Sequence, residues 1–154
     1  MWETVPRLLA QHRYLVLGTA DAEGRPWVTP VFYAADGEHR VLWVSSADSR
    51  HSRNISARPA VAVTIFDSHA PIGQAEAIYL EASAGPVSND GVAAAVDRLN
   101  TRLPAGHQLG PEDIAPAGPL QVYQATITQH FVLIRGGDAR FGNVVDARLA
   151  VTPP

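Results

Sequence analysis

The segment VLWVSSADSRHSRNISARPAVAVTIF, residues 41–66, contains the strongest indications of the fold. Two apolar runs, VLWV and AVAVTIF, enclose a polar connection that contains five Ser, three Arg and one His. Both runs indicate strands, and the nearly continuous second run predicts a strand covered on both faces. The connection opens as a turn, after which Ser49 or Asp48 can cap a short helix from Arg50 to about Ala57.

The sequence on both sides of this segment continues the alternation of strands and turns. Strands are predicted over YLVLGTA (14–20), PWVTPVFYA (26–34), RVLWVS (40–45), AIYLEASAGPVS (77–88) and LQVYQATITQHFVLI (120–134), the last as one long strand or a hairpin, with a short strand near the end of the chain. Apolar residues at helical spacing predict helices over Thr4–Arg13 and residues 88–103. Four Pro and three Gly between Pro104 and Pro119 indicate a loop. About six antiparallel strands with a few helices predict a mainly β barrel in one domain, residues 1–154.

The amino-acid composition argues against several classes of function. Hydrophobic residues make up 46% and charged residues 18% of the 154 residues, as in a folded soluble domain. Cysteine is absent and the six His are scattered, so no thiol chemistry and no metal site are predicted. A net charge of −3 argues against nucleic acid as a partner. No apolar run is long enough to span a membrane and no signal-peptide pattern opens the chain, so the expected location is the cytoplasm.

The basic connection after residue 44 suits a small anion. A helix N-terminus offers free backbone N–H groups and a partial positive charge, and both stabilise a bound anion. Arg50, His51 and the neighbouring Ser hydroxyls add donors that match the oxygens of a phosphate monoester. The alternative interpretation is a solvated loop whose arginines pair with nearby carboxylates, which is common on protein surfaces.

Three stretches of the chain carry a resemblance to a known family. They are GTADAEGRPWVTPVFYAADG (18–37), the segment from Val41 to Asp67, and AIYLEASAGPVS (77–88) before a helix. Together they resemble the pyridoxamine 5′-phosphate oxidase-like family, the flavin-binding split barrels, from about Tyr14 to the final strand. The resemblance implies a six-stranded antiparallel split β-barrel with flanking helices. It also implies a homodimer that binds FMN at the subunit interface.

The resemblance assigns roles to particular residues of this chain. Strand-end hydroxyls and the Ser-Arg-Lys segment of the family grip the flavin phosphate, and a polar residue of the second strand, here Thr29, reaches the same group. The implied cofactor-binding residues are Val28, Thr29, Pro30, Ser45, Ser46, Ser49, Arg50 and His51. Candidate substrate-facing residues are Trp27, His69 and Gln74. No catalytic side chain is predicted, because the cofactor would carry the chemistry.

Departures from the family pattern shape the functional hypotheses. His51 stands where the salvage oxidases have Lys, the second strand lacks their basic residue, and the Gln expected near Ala77 is missing, with Gln74 close by. The first hypothesis is therefore an FMN-dependent oxidoreductase that acts by hydride transfer on an unidentified small molecule, rather than the vitamin-salvage enzyme. The second is a reductase that uses the 8-hydroxy-5-deazaflavin coenzyme on the same fold. The third is a module that binds flavin or haem without turnover.

Overall fold

The computed structural model of the protein describes residues 1–154. The helices are α1 (Thr4–Gln11), α2 (Arg50–Ala57), α3 (Val92–Asn100) and α4 (Pro111–Ile114), with a turn of 3₁₀ helix at Asn89–Gly91. The strands are β1 (Tyr14–Ala20), β2 (Pro26–Phe32), β3 (Ala34–Ala35), β4 (Arg40–Ser45), β5 (Ala60–Phe66), β6 (Ala77–Pro86), β7 (Gln121–Ile134) and β8 (Ala147–Val151). None of the helices is long and apolar enough to cross a lipid bilayer.

All strands join one antiparallel sheet. Its order is β2-β1-β5-β6-β7-β4-β3, and β8 pairs with the C-terminal half of β7, beyond the part that pairs with β4. β2 and β3 lie at opposite ends of this order, yet only Tyr33 separates them in the chain. A chain that passes from one sheet edge to the other through a single residue requires the sheet to curl.

The predicted mainly β, antiparallel architecture is confirmed, but the count of six strands is not. The order contains seven strands and β8 is the eighth. The predicted second strand is divided at Tyr33, where the chain changes partners from β1 to β4. The segment 120–134 forms one long strand rather than a hairpin. The loop predicted from Pro104 to Pro119 contains the four-residue helix α4.

Alternation along the strands places the main core on one face of the sheet. In β1, Leu15 and Leu17 are buried among 22 core residues, to which α1 contributes Val5, Leu8 and Leu9. β5 alternates in the same way, so its outward positions, Ala60, Ala62 and Phe66 among them, are exposed. The prediction that AVAVTIF is covered on both faces is therefore wrong. Ala60, Ala62 and Phe66 occupy the open face, and Val61, Val63 and Ile65 enter the core.

Arg102 ties the curled sheet to α1. Its guanidinium lies 4.9 Å over the ring of Tyr33 and donates to the backbone carbonyls of Tyr33, at 3.0 Å, and His12. Burial raises the pKa of Tyr33, so its hydroxyl stays protonated and donates to the Leu9 carbonyl at 2.8 Å. α1 ends at Gln11 because His12 adopts extended backbone, which leaves carbonyls that these donors satisfy. The Arg102–Tyr33 pair thus fixes the junction between β2 and β3.

Candidate functional site

The turn between β4 and α2 holds a cluster of hydroxyl groups. Ser49 is the N-cap of α2, and its Oγ accepts from the Ser52 backbone N–H at 3.3 Å. The same hydroxyl lies 2.8 Å from Ser52 Oγ and 2.9 Å from the carbonyl oxygen of Ser46. Ser46 Oγ in turn accepts from the Asp48 N–H at 3.1 Å. The predicted boundaries of α2 and its predicted cap are confirmed. The helix begins here because the Ser49 hydroxyl satisfies a backbone N–H that the helix leaves free.

His51 joins this cluster from the first turn of α2. Its Nε2 lies 2.7 Å from Ser45 Oγ, at the end of β4, and 3.2 Å from Ser49 Oγ. Burial lowers the pKa of His51, so the imidazole is neutral near pH 7. The side chains of Ser45, Ser49 and His51 therefore meet at one point beside the helix N-terminus. An anion placed there would meet hydroxyl groups, an imidazole and the free N–H groups of the helix N-terminus.

The three arginines of the connection do not pair with acidic residues. Arg53 donates to the Asp48 carbonyl, and Arg58 donates to the Ala22 carbonyl at 3.0 Å. The guanidinium of Arg50 makes no hydrogen bond within the chain and lies 4.3 Å above the ring of Trp27. None of the three has a carboxylate oxygen within 4.0 Å, so their positive charges are not neutralised by ion pairs. The solvated loop with paired arginines is not what this chain forms.

Buried polar groups anchor α2 to the end of the β1–β2 hairpin. Asn54 is 4% exposed, and its Nδ2 donates to the Oγ1 of Thr19 at 3.0 Å. Thr19 Oγ1 lies 3.5 Å from the carbonyl oxygen of Trp27, its partner across the hairpin. Asn54, one turn into α2, therefore holds the helix against the β1–β2 hairpin.

Replacing Asn54 by alanine should lower the free energy of unfolding by about 1–3 kcal/mol, because the change leaves the buried Thr19 hydroxyl without its donor. Urea denaturation followed by circular dichroism measures the loss. Ser56→Ala, on the exposed face of the same helix, is the matched control and should change stability by less than about 0.5 kcal/mol. Equal effects of the two changes would contradict an anchoring role for Asn54.

The structure divides the predicted residues of β2 between two faces. Successive side chains of a strand point to opposite sides, so Trp27 and Thr29 share the side of the buried Val31. Val28 and Pro30 point to the outer face, where Val28 lines a groove of about 530 Å³. Within one chain, the Ser45–His51 cluster and the outer groove are therefore separate parts of the candidate site.

The outer groove is mostly apolar and is open to solvent. Its floor is formed by β1 and β5, and Tyr79 and Phe131 contribute aromatic rings. Arg148 of β8 lies 4.6 Å above the ring of Tyr79 and adds a positive charge at one side. At the centre, a side chain on Gly18 would come within 3.3 Å of the Ala62 carbonyl oxygen, so this position of the floor suits glycine.

His69 and Gln74 are not brought to the cluster. Both are exposed and lie in the loop after β5, whereas α2 precedes the start of that strand. A strand of seven residues is roughly 20 Å long, so the loop is at the far end of β5 within one chain. The His69 backbone N–H donates to Asp67 Oδ1 at 2.8 Å, and Gln74 closes a turn onto the Pro71 carbonyl at 2.9 Å. Their substrate-facing role stays a prediction.

Sequence reasoning missed Thr19, Asn54 and Arg148. The alternation Leu15, Leu17, Thr19 places Thr19 on the buried face of β1, and this pattern could have identified it. No comparable signal marks Asn54 or Arg148. The partner of Asn54 is 35 residues away along the chain, and the partner of Arg148 lies on another strand.

Comparison with solved structures identifies the same fold in several proteins of known structure. HutZ, the heme storage protein from Vibrio cholerae, superposes with a TM-score of 0.68 at 20% identity, over 84% of this chain and 92% of that chain. A heme binding protein from Mycobacterium smegmatis gives a TM-score of 0.71 at 18% identity, over 93% of this chain and 55% of that one. An F420 reductase gives 0.60 at 23% identity, over 80% of this chain and 93% of that one.

Sequence comparison places the chain in a family. No curated protein sequence matches it at a significant level. The model of the family described as "Pyridoxamine 5'-phosphate oxidase" matches residues 1–133, which include β1 to β6, all four helices and almost all of β7. The resemblance seen in the sequence is thereby confirmed. The chain belongs to the pyridoxamine 5′-phosphate oxidase family.

Proposed function

We propose that the protein is an FMN-dependent oxidoreductase that holds the flavin phosphate at the N-terminus of α2. The observation that carries this proposal is the cluster of Ser45, Ser49 and His51 beside Arg50, whose guanidinium has no carboxylate partner. A phosphate monoester carries two negative charges near neutral pH and several acceptor oxygens. A site that combines hydroxyl, imidazole and guanidinium groups at a helix N-terminus fits that group.

The residues present also fit the remainder of FMN. Thr29 lies on the α2 side of β2, the strand that the family resemblance places beside the ring system. Bound FMN supplies an acceptor or donor of hydride, and the chain supplies position and exclusion of water. The Ser45–His51 pair has no carboxylate hydrogen-bonded to the imidazole, so it lacks the third group of a hydrolase triad, and substrate turnover would depend on the bound group.

The outer groove contributes to the proposed cofactor site if a second copy of the chain packs against it. Val28 is 66% exposed and Tyr14 is 63% exposed on the outer face of β1 and β2, and no helix covers that face. Removing exposed apolar surface of this kind from water is energetically favourable. We infer a homodimer that buries this face, with the cofactor at the subunit interface and the groove walls shared between the copies.

The proposal is tested by titrating the purified protein with FMN and with riboflavin, which lacks the phosphate, and following the flavin absorbance. FMN should bind at least about tenfold more tightly than riboflavin, since hydrogen bonds to a charged group contribute roughly 1.5–3 kcal/mol. Equal affinities would contradict a phosphate site. The deazaflavin coenzyme and haem are titrated in parallel.

The same titrations separate the alternative functions. Preference for the deazaflavin coenzyme over FMN would favour the reductase on the same fold. A Soret band on haem addition without flavin binding would favour the non-catalytic module. His51 is a poor candidate for a haem ligand, because its Nε2 is 2.7 Å from Ser45 Oγ and so already has a partner.

A further inference from the structure

Trp27 restrains Arg50 without neutralising it. The Arg50 guanidinium carbon lies 4.3 Å from the centre of the Trp27 ring, and the guanidinium makes no hydrogen bond or ion pair within the chain. Trp27 is 40% exposed, so its ring is not needed to fill the core. The two side chains come from different elements, β2 and α2, and meet at the first turn of α2, which also carries His51.

An aromatic partner is the kind that an anion-binding arginine can use. A carboxylate would compete with phosphate for the guanidinium N–H groups, whereas a ring contacts only its flat face. The in-plane N–H donors remain free for the oxygens of a ligand. Stacking also restricts the long, flexible arginine side chain before a ligand arrives, which reduces the entropy lost on binding.

Trp27 is itself held by the groups that anchor α2. Thr19 pairs with Trp27 across the β1–β2 hairpin, and Thr19 Oγ1 accepts from Asn54 Nδ2 at 3.0 Å. Asn54 follows Arg50 by one helical turn. The helix therefore contacts the hairpin at two residues, Asn54 on Thr19 and Arg50 on Trp27. These two contacts fix the position of the Trp27 ring relative to α2.

We propose that Trp27 is a positioning residue for Arg50 and thereby sets the preference of the site for phosphorylated over unphosphorylated flavin. This inference rests on the proposed function. It assigns Trp27 a contact with the cofactor-binding arginine in place of the substrate contact expected from the sequence. Its effect is transmitted through Arg50, so it should vanish when Arg50 is absent.

A double-mutant cycle tests the inference. FMN and riboflavin affinities are measured for the unchanged protein, Trp27→Leu, Arg50→Ala and the double variant. Trp27→Leu should weaken FMN binding by roughly 3- to 10-fold, as expected for loss of a cation–π contact, and leave riboflavin binding unchanged. In the Arg50→Ala background it should have no further effect. Trp27→Phe keeps a ring face and should retain most of the FMN affinity.

The possible outcomes distinguish the positioning role of Trp27 from the proposed function. Equal weakening of FMN and riboflavin by Trp27→Leu, or a full effect in the absence of Arg50, would overturn the positioning role and leave the proposed function intact. Failure of the unchanged protein to prefer FMN would overturn the proposed function and the inference together. Circular dichroism of each variant checks the fold. If Trp27→Leu does not fold, Trp27→Phe against Trp27→His supplies the same comparison.

Discussion

Replacement of Arg50 by alanine is expected to weaken FMN binding by about 10- to 100-fold. The guanidinium is always charged and has no carboxylate partner within the chain, whereas burial lowers the pKa of His51 and so disfavours a charge on that imidazole. Hydrogen bonds from a charged donor contribute about 1.5–3 kcal/mol, and each 1.4 kcal/mol corresponds to a tenfold change in affinity. Flavin absorbance or fluorescence titration gives both dissociation constants.

Arg58→Ala is the matched control for this prediction. Arg58 belongs to the same connection and carries the same charge, but it follows the C-terminal end of α2 and donates to the Ala22 carbonyl. Its removal should change FMN affinity by less than about threefold, since a charge at that distance is largely screened. If the two variants weaken FMN equally, the phosphate is held by general basicity and not by a site at the helix N-terminus.

Replacement of Arg102 by alanine is expected to lower the free energy of unfolding by about 2–4 kcal/mol. The change removes charge-assisted donors from the carbonyls of Tyr33 and His12, and it removes a cation from the face of the Tyr33 ring. For a chain of this length, the melting temperature should fall by roughly 5–15 °C. Thermal denaturation followed by circular dichroism measures the shift.

Arg98→Ala serves as the control for Arg102, one turn earlier along the same segment. Arg98 donates to the Ala35 carbonyl at 3.0 Å and lies 3.9 Å from Asp36, both at the surface. Exposed contacts of this kind contribute little, so the cost should be below about 1 kcal/mol. A cost as large as that of Arg102→Ala would mean that any arginine on this side of the molecule is equally important, and the clamp at Tyr33 would lose its special role.

Local pattern was sufficient to predict most of the elements. The strands, the turn after β4 and the bounds of α2 follow from side-chain alternation and from a serine that can cap a helix. These signals lie within a few residues of the structures that they specify. The same is true of the hydroxyl groups and His51, which belong to the first turn of α2 and the strand before it.

Contacts between distant parts of the chain could not be predicted in this way. The division of the second strand at Tyr33 depends on which strand pairs with each half, and the exchange of partners leaves no mark in PWVTPVFYA. The stacking of Arg50 on Trp27 likewise depends on where α2 docks. The open outer face of β5 was misjudged because an apolar run gives no information about which neighbouring elements exist to cover it.

The central position of β7 bears on how the chain acquires its fold during synthesis. β7 lies between β6 and β4, and its pairing with β4 joins Ser45 to Gln121 and Arg40 to Thr126. Until residues 121–126 emerge from the ribosome, β4 can pair only with the two-residue strand β3. Until then β4 keeps an unpaired edge, and exposed strand edges favour association with other chains. Completion of the sheet therefore has to follow the synthesis of residues 121–126, because only that segment pairs with the full length of β4.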